Sequence, residues 1–383
     1  MILFDARIGN EPGYKHLHLQ NGLIHRIAEK REELQPGNDE QVIELDGARV
    51  LPGFINSHDH LDFNCYPQLG NRIYEDYTAW GKDIHSANAA VIKEIEMIPP
   101  ALRIKWGLYK NLLGGFTTVV NHGKKLPVSD ELIHVYQDCD CLHSPAFEKN
   151  WRSKLNLPFR KKKTVVMHMG EGTNAVAHEE ISRVIKANFF RRKITAVHGV
   201  AMDEQQAAGL HALVWCPSSN FFLLGKTAAV NQLKQVVPVL FGTDSTLTAS
   251  WAAADHFADA LGSDMVTATE LLDMLTENAA KSWELRQKGS ISEGMDADLL
   301  IKSGTDIFEK EPFEMVIVSG EARVINESEA DRLNRLQANA FDRIILNGQP
   351  LLVKKGITSL AEEVMSYYPG LHLPFEINGQ VNA

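Results

Sequence analysis

The fold is decided at Leu51-Pro52-Gly53-Phe54-Ile55-Asn56-Ser57-His58-Asp59-His60, an apolar run that ends in two histidines. Before this stretch the chain forms short alternating runs, such as His16–Leu19 and Val42–Leu45, which indicate an antiparallel ribbon. After it, short apolar runs alternate with longer helical stretches. That alternation is typical of βα units built on a parallel sheet. We therefore predict that residues 51–60 contain the first strand of a parallel α/β region.

The other elements of this region follow from apolar runs and helical periodicity. We predict strands at Thr117–Asn121, Thr164–His168, Ile194–His198, Ala212–Cys216 and Val237–Thr243, with two weakly marked ones at Ile133–Gln137 and Cys139–Ser144. We predict helices at Ser86–Ile98, His178–Ala187, Ala252–Leu261 and Thr269–Trp283. Strands then return at Gly289–Ile291, Ala297–Ile301, Met315–Val318, Arg323–Ile325 and Asp342–Leu352. Both ends of the chain are therefore strand-rich, and the middle alternates.

Composition excludes several classes of protein. The 383 residues carry 39 Lys and Arg against 49 Asp and Glu, a net charge of −10 that argues against a duplex nucleic-acid binder. No run approaches the ~18 apolar residues of a membrane helix. The N-terminus reaches Asp5 without a basic leader, and four cysteines are too few for a disulfide framework. We expect a cytoplasmic protein without nucleic-acid or membrane partners.

The histidines carry the strongest chemical signal. Side chains two residues apart on a strand share a face, so His58 and His60 can offer two imidazoles to one metal ion. The pair alone is weak evidence, because His16 and His18 repeat the spacing in the N-terminal ribbon, where we interpret them as surface or sheet residues. The evidence for a metal site becomes stronger because other polar residues also lie at predicted strand ends.

His168, His198 and Asp244 each end an apolar strand-like run. In a (β/α)₈ barrel, strand ends that are far apart in sequence converge on one point. Three or four His and Asp ligands with an open position describe a hydrolytic metal site. Glu171, three residues after His168, is placed for general acid–base work. Taken singly, Asp244 is better interpreted as a helix-capping or turn acid, and Glu171 is open to interpretation as a first-turn helix acid.

These residues belong to a longer series of motifs that resembles the amidohydrolase superfamily. Within it, the chain is similar to the branch of aminohydrolases and chlorohydrolases that includes cytosine, guanine and S-adenosylhomocysteine deaminases and triazine hydrolases. The matching motifs appear in the family's order and span most of the chain from Val50 to Ile301. They are Pro52–His60, Gly114–Val120, His168–Glu171, Cys216–Asn220 with Gly225, Gly242–Ser245, Glu277–Ala280, Gly289–Ile291 and Asp296–Leu299.

The resemblance implies a distorted (β/α)₈ barrel over residues 51–288 and a small β-sandwich domain formed by residues 1–50 and 289–383. It implies a metal site with His58, His60, His168 and Asp244 as ligands. His198 then lies near the metal, either orienting water or substrate or acting as a direct ligand. Relatives with two metals use a carboxylated lysine on the fourth strand, and no strand-like segment between Asn121 and Thr164 offers one. We therefore expect one divalent ion, zinc with iron as the alternative.

The implied reaction is hydrolytic deamination of an amino-substituted nitrogen heterocycle of purine, pyrimidine, pterin or triazine type. In this hypothesis the metal generates hydroxide as the nucleophile, Glu171 is the proton shuttle, and His198 and Asp244 stabilise the intermediate. One alternative is hydrolysis of a cyclic amide or imine, or displacement of another leaving group on a similar ring. A remote alternative is a non-catalytic binding protein on the same fold. The expected partner is a small nitrogen-containing molecule, with a homodimer left open.

Several other residues near these motifs are each open to two interpretations. His122, just past the second strand, either touches substrate or is a turn residue. Trp80 and four other aromatic residues, Phe63, Tyr66, Tyr74 and Tyr77, either line the pocket or pack its first helix. We expect Ser218–Asn220 to form a turn, and Cys139 and Cys141 not to form a structural zinc site. We interpret as structural or exposed the remaining histidines, among them His85, His134, His178, His211 and His256.

Overall fold

The computed structural model describes residues 1–9, 13–127, 132–332 and 338–377. The strands before the central region are β1 (Ile2–Ile8), β2 (Lys15–Gln20), β3 (Leu23–Ala28), β4 (Val42–Glu44) and β5 (Arg49–Pro52). The central strands are β6 (Phe54–Asp59), β7 (Phe116–Asn121), β8 (His134–Tyr136), β9 (Asp140–Cys141), β10 (Val165–Met169), β11 (Ile194–His198), β12 (Ala212–Trp215) and β13 (Val239–Phe241). The last strands are β14 (Leu299–Lys302), β15 (Met315–Val318), β16 (Glu321–Asn326), β17 (Phe341–Leu346), β18 (Gln349–Lys354) and β19 (Glu376–Ile377).

The helices cluster between the central strands, with one near the C-terminus. They are α1 (Tyr77–Ala87), α2 (Ala89–Glu96), α3 (Pro100–Leu113), α4 (Trp151–Leu155), α5 (Ala175–Ala187), α6 (Glu204–Ala207), α7 (Pro217–Leu224), α8 (Val230–Leu233), α9 (Ala253–Gly262), α10 (Ala268–Leu275), α11 (Glu277–Ser282) and α12 (Ile357–Tyr367). No described helix combines the length and the apolarity that a membrane span requires.

The central strands form two parallel sheets. The first has the order β6-β7-β8, and the second has the order β13-β12-β11-β10-β9. The two sheets contact each other at two places. The Asp244 amide, after β13, donates to the carbonyl of His58 in β6 over 3.0 Å, and Cys141 Sγ in β9 lies 3.7 Å from the carbonyl oxygen of Asn121 in β7, the middle strand of the first sheet. The prediction of a mixed α/β fold with parallel sheets is confirmed. Side chains of all residues in β6, β7 and β10–β13 are buried, as expected for parallel strands covered by helices.

Strands from the two chain ends join in one mostly antiparallel sheet, which we call the composite sheet. Its order among the described residues is β19-β17-β18-β16-β15-β14-β5-β1-β2-β3, with β4 paired to β1. The junction is the pairing of β5 with β14, in which Val50 lies opposite Ile301. Only Gly53 separates β5 from β6. A Cβ at Gly53 would lie 2.2 Å from Thr117 Oγ1, so the backbone there fits only glycine.

An aromatic core fixes the start of β6. The ring of Phe54 packs against Phe116 of the neighbouring strand and against Phe257 of α9, with centroids 6.2 and 5.8 Å apart. Phe308 and Phe313, from the segment after β14, complete the cluster at 6.2 and 5.6 Å. These five phenylalanines are buried. Their apolar burial stabilises the strand that carries the first histidine pair.

The strand predictions in the central region differ from the structure only at their ends, but three other predictions are wrong. Gly289–Ile291 is not a strand. The predicted strand Asp342–Leu352 is a hairpin of β17 and β18, because Asn347 and Gly348 both adopt the positive φ that a tight hairpin turn requires. Ser218–Asn220 belongs to helix α7 rather than to a turn, since Pro217 occupies the first helical position, where proline is favoured.

Two predicted helices are each divided. The segment predicted as Ser86–Ile98 consists of the end of α1 and of α2, which meet at Asn88. The segment Thr269–Trp283 contains α10 and α11, which meet at Thr276, whose φ of −129° is not helical. Asparagine and β-branched threonine are weak helix formers, which is consistent with breaks at these positions.

Candidate metal centre and active site

Four histidines and one aspartate meet at the carboxyl ends of the central strands. His58 and His168 are the next-to-last residues of β6 and β10, His198 is the last residue of β11, and His60 and Asp244 follow β6 and β13. Ligand atoms lie within 4.8 Å of one another in two overlapping groups: His58, His60 and His168, and His58, His198 and Asp244. Each group could hold a metal ion, so the residues that the sequence predicted as ligands converge.

Hydrogen bonds turn two of these imidazoles toward a common centre. His168 Nδ1 donates to the backbone carbonyl of His143 over 2.9 Å, which leaves His168 Nε2 with its lone pair. His198 Nδ1 lies 2.9 Å from Asn220 Oδ1 and donates to it in the same way. His168 Nε2 faces His58 Nε2 at 3.2 Å. A cation shared by these nitrogens satisfies their lone pairs, and His and Asp donors are those that zinc and related ions accept.

Burial lowers the pKa of three of these histidines, which favours the neutral form that binds metal. Burial, reinforced by the neighbouring His58, lowers the pKa of His60 to about 3. Burial also lowers the pKa of His198 to about 4, although Asp244 acts in the opposite direction. The pKa of His168 falls well below its usual value for the same reason, with His122 and His58 adding to the effect.

Asp244 is the anionic member of the group. Burial alone would raise its pKa, yet the neighbouring imidazoles of His58, His198 and His60 hold that pKa well below the usual range. Its Oδ1 lies 3.7 Å from His58 Nε2 and 3.8 Å from His60 Nε2. Its backbone has the strained φ of +57°, a conformation that is common where a side chain is held for function.

Three hydroxyl and amide donors fix the carboxylate of Asp244. Ser219 Oγ donates to Oδ2 over 2.8 Å, Thr248 Oγ1 donates to the same oxygen over 3.1 Å, and the Ser245 amide donates to Oδ1 over 2.8 Å. The carboxylate therefore has one defined orientation before any ion binds, which is the property that outer contacts give a metal ligand.

Glu171 lies beside the histidine group on the loop after β10. Its Oε2 is 3.6 Å from His198 Nε2. Burial, with a further contribution from the charge of Asp244, raises its pKa well above the usual value. The loop is fixed on both sides, because the Tyr77 amide donates to the Glu171 carbonyl over 3.1 Å and the Gly170 amide donates to Glu180 Oε1 over 2.9 Å. A buried carboxyl with a raised pKa is suited to exchange protons near neutral pH.

A cavity of about 880 Å³ opens over this group. Its polar wall near the centre consists of His60, His143, His168, Glu171, His198 and Asp244. Aromatic and aliphatic side chains supply much of the rest: Phe63, Tyr66, Tyr77, Trp80, Ile84, Ile92, Phe147 and Leu247. Such a volume with a few convergent polar groups is typical of a small-molecule site.

The structure separates the two residues predicted to contact substrate. Trp80 lines the cavity, and its Nε1 is anchored by a 2.6 Å bond to the Leu69 carbonyl. His122 is not among the cavity-lining residues. It is buried 4.3 Å from His168, measured between ring centroids, and neither ring nitrogen has a partner among the described residues. Of the five aromatic residues after His60, only Tyr74 is absent from the lining, since it packs on Leu223 and Leu224.

Sequence reasoning missed several residues that support the site. His143 and His85 both line the cavity, although neither was a candidate. Ser219 and Asn220 bond to Asp244 and His198, although the segment was predicted to be only a turn. The sequence signal for these contacts is Pro217, because proline favours the first position of a helix. A helix that begins there places the Ser219 hydroxyl and the Asn220 amide near the strand ends.

A buried polar layer lies beneath the group. Lys110 Nζ, from α3, donates to Asp59 Oδ2 over 3.1 Å, to Thr243 Oγ1 over 3.2 Å and to the Asp244 carbonyl over 2.8 Å. Asn56 Oδ1 accepts from the Thr243 amide over 3.1 Å. The two strands that carry His58 and Asp244 are therefore tied together by side chains as well as by the backbone.

The sequence of this chain is similar to one protein family and to one deaminase. The sequence model described as "Amidohydrolase family" matches residues 148–329. The chain is 23% identical to a 5-methylthioadenosine/S-adenosylhomocysteine deaminase of Caldicellulosiruptor saccharolyticus over 345 residues, which cover 76% of this chain and 80% of the relative.

Solved structures share the fold. A 5-methylcytosine deaminase of Klebsiella pneumoniae with 5-fluorocytosine superposes with a TM-score of 0.63 at 19% identity, covering 84% of this chain and 97% of that one. An adenosine deaminase of Xanthomonas campestris with bound zinc gives 0.67 at 15% identity, covering 97% and 98%. At these identities the superpositions establish the likeness of fold.

Proposed function

We propose, from the confirmed resemblance of this chain to the amidohydrolase superfamily, that it is a metal-dependent hydrolase that deaminates an amino-substituted nitrogen heterocycle. The observation that carries this proposal is the position of Glu171, 3.6 Å from His198 in the wall of a cavity that also contains the His and Asp group. A proton-transfer group beside a metal site is what hydrolytic deamination requires. The named relatives, which act on cytosine or adenosine compounds, support the choice of substrate class.

One divalent ion would be held by His58, His60, His168 and Asp244. Zinc is our first choice, supported by the nitrogen and oxygen donors and by the zinc in the Xanthomonas relative; iron is the alternative. When bound, such an ion acts as a Lewis acid that makes water a better nucleophile at neutral pH. The neutral imidazoles and the single carboxylate leave this site with a net charge of +1 in the presence of the ion.

The remaining steps belong to side chains of this chain. Glu171 accepts one proton from the attacking water and delivers it to the ring nitrogen. It then accepts the second proton of that water, from the new hydroxyl on the ring carbon, and delivers it to the leaving amine. His198, whose Nδ1 is occupied by Asn220, presents Nε2 as an acceptor that orients the water. Asp244, whose Oδ2 lies 4.0 Å from His198 Nε2, stabilises the tetrahedral adduct together with His198. A C–O bond forms at the ring carbon, the C–N bond breaks, and ammonia leaves with the oxo heterocycle as the second product.

We also propose the architecture implied by the resemblance. The eight central strands, β6 to β13, constitute a distorted (β/α)₈ barrel over residues 51–288, and the contacts of Asp244 with His58 and of Cys141 with Asn121, which link the two parallel sheets, support this proposal. Residues 1–50 and 289–383 form the accompanying β-sandwich domain, supported by the composite sheet. The partner is a small nitrogen-containing molecule, and we propose a cytoplasmic setting.

Ammonia release tests the function. The purified protein, loaded with zinc or iron, is incubated with aminated purines, pyrimidines, pterins and triazines, and ammonia and the oxo product are quantified. We expect stoichiometric ammonia and oxo product from at least one ring class, and release at least about 100-fold slower from a Glu171→Gln variant with the same metal content. Metal-loaded protein that releases no ammonia from the whole panel contradicts the proposal. A ring-opened acid as the product reassigns the chain to amide hydrolysis.

A further inference from the structure

The cavity is larger than a bare heterocycle needs. Its volume of about 880 Å³ lies near the top of the ~300–1,000 Å³ range of small-molecule sites, which bury most of their ligand. A single pyrimidine or purine ring held against Glu171 and His198 would leave most of this space filled with water. The rest of the cavity is bounded by α1, α2 and the start of α3, which contribute Ile84, Ile92 and Arg103.

Arg103 is the unusual member of that remote wall. Its side chain is only partly exposed, and its Nε is buried without a partner. Within the part of the chain that the structure describes, its guanidinium makes no hydrogen bond and no ion pair. A guanidinium carries five N–H donors, and the one on Nε is buried without an acceptor, which is costly. A ligand group that accepts hydrogen bonds from the guanidinium would satisfy it.

Arg103 lines the cavity from α3, whereas Glu171 and His198 line it from the loop after β10 and from the end of β11. Lys82, His85 and Glu96 also line the cavity but are exposed. Asp62 lies beyond ion-pair distance of Arg103, so the guanidinium stays available.

From this arrangement we propose that the substrate is a nitrogen heterocycle that carries an extended, largely apolar substituent ending in an anionic oxygen group, and that Arg103 binds that group. The proposal rests on the proposed function and names its substrate class. The amino-bearing ring lies against Glu171, the linker crosses the wall formed by Trp80 and Ile84, and the anionic end reaches Arg103. A carboxylate or a phosphate suits the planar donor fork of arginine equally well.

Matched ligands test the proposal. Adenine and cytosine are each compared as the bare base, as the N-butyl derivative, and as the N-carboxypropyl and N-phosphonopropyl derivatives, using metal-loaded protein. Binding is measured by calorimetry, and turnover by ammonia release. We expect at least one anionic derivative to exceed the butyl compound of the same base by about tenfold or more in affinity and in kcat/KM. The gain should appear in KM, because the anion binds away from the reacting carbon.

Variants assign the effect to one side chain. Arg103→Met should abolish the advantage of the anionic derivative while turnover of the bare base is unchanged. Arg103→Lys keeps the charge and should therefore retain part of the advantage of the anionic derivative. It also serves as a second variant if Arg103→Met does not fold. Lys105→Met, on the exposed side of the same helix, is the control and should change nothing.

The outcomes separate this inference from the proposed function. Equal affinity for butyl and anionic derivatives, equal weakening of every ligand by Arg103→Met, or no binding of any derivative would each overturn it. Deamination of the bare bases with no anion preference would leave the proposed function standing and reject the role of Arg103. Tight, Arg103-dependent binding without ammonia release would support the anion subsite and reject deamination.

Discussion

Lys110 Nζ lies 3.1 Å from Asp59 Oδ2, and both side chains are almost completely buried directly beneath the candidate metal centre. Asp59 also accepts from Asn111 Nδ2 over 2.7 Å and from Asn64 Nδ2 over 2.8 Å. A buried ion pair is favourable only when its remaining hydrogen bonds are satisfied, and here they are. Because Asp59 stands between His58 and His60, the pair also fixes the strand end that carries both imidazoles.

Removing the lysine from this pair should strongly destabilise the protein. Lys110→Met leaves the Asp59 carboxylate charged, buried and unpaired, so we expect the free energy of unfolding to fall by about 3–5 kcal/mol. Urea denaturation of the metal-free protein measures the change. Lys105→Met serves as the exposed control on the same helix, and adding Asp59→Asn to Lys110→Met should recover part of the loss. Additive losses in the double variant would show that the two charges do not interact.

Replacing Glu171 should remove catalysis without removing the metal. Glu171→Gln keeps the shape but cannot accept a proton, and we expect kcat to fall roughly 100- to 10,000-fold. Ammonia release gives the rate, and elemental analysis of the same sample gives the metal content. The matched control is Glu180→Gln, also buried but not lining the cavity, which should keep most of the activity. A Glu171→Gln variant with normal kcat would exclude the proton-shuttle role.

Loss of a predicted ligand should release the metal. His60→Asn removes one nitrogen donor, and since even outer contacts alter metal affinity by about 10–100-fold, we expect a loss beyond that range. Competition with a chromophoric chelator measures the affinity. The comparison is His85→Asn, a histidine that lines the same cavity but belongs to neither group of metal-binding residues. Equal affinity in the two variants would argue against His60 as a ligand.

Glu180 should make stability depend on pH. Burial raises its pKa from about 4.5 to about 7 in the folded protein, although the Gly170 amide bond opposes this shift. The folded state therefore binds the proton more tightly than the unfolded state, so this group's effect on stability becomes less favourable as the pH rises from about 4.5 to about 7 and is constant above that.

Glu180→Gln should remove this dependence, because glutamine keeps an acceptor for the Gly170 amide and does not ionise. We expect the variant to equal the wild type near pH 4.5 and to exceed its unfolding free energy above pH 7 by up to about 3 kcal/mol. Denaturant unfolding at several pH values from 5 to 8 measures the difference. A constant difference across that range would mean that Glu180 does not titrate there.

Local sequence patterns were sufficient for the parallel region. His58, His168, His198 and Asp244 were predicted at strand ends because each closes an apolar run, and the register that places Met169 opposite His198 brings two of those ends together. The boundaries of the short strands β8 and β9 could not be predicted well, since they have three and two residues and carry little periodic signal.

The residues that support the site could not be predicted from local sequence patterns. Lys110 is 51 residues from Asp59 and 134 from Asp244, and no spacing rule connects positions so far apart. His143 contributes through its backbone carbonyl, which any residue would supply. Asn220 needed the direction of α7 to be known before its contact with His198 was apparent. These contacts depend on tertiary packing, whereas the ligand pattern depends on strand polarity alone.

The single glycine between β5 and β6 bears on how such a protein can be divided. Because β5 is paired with β14, the strand carrying His58 takes its starting position from residues some 250 places later in the chain. A segment that begins at Phe54 would lack that anchor, and a larger residue in place of Gly53 would clash with Thr117. Recombination could therefore not transfer the central strands as an independent cassette: the reacting centre and the sheet made by the chain ends must be inherited together.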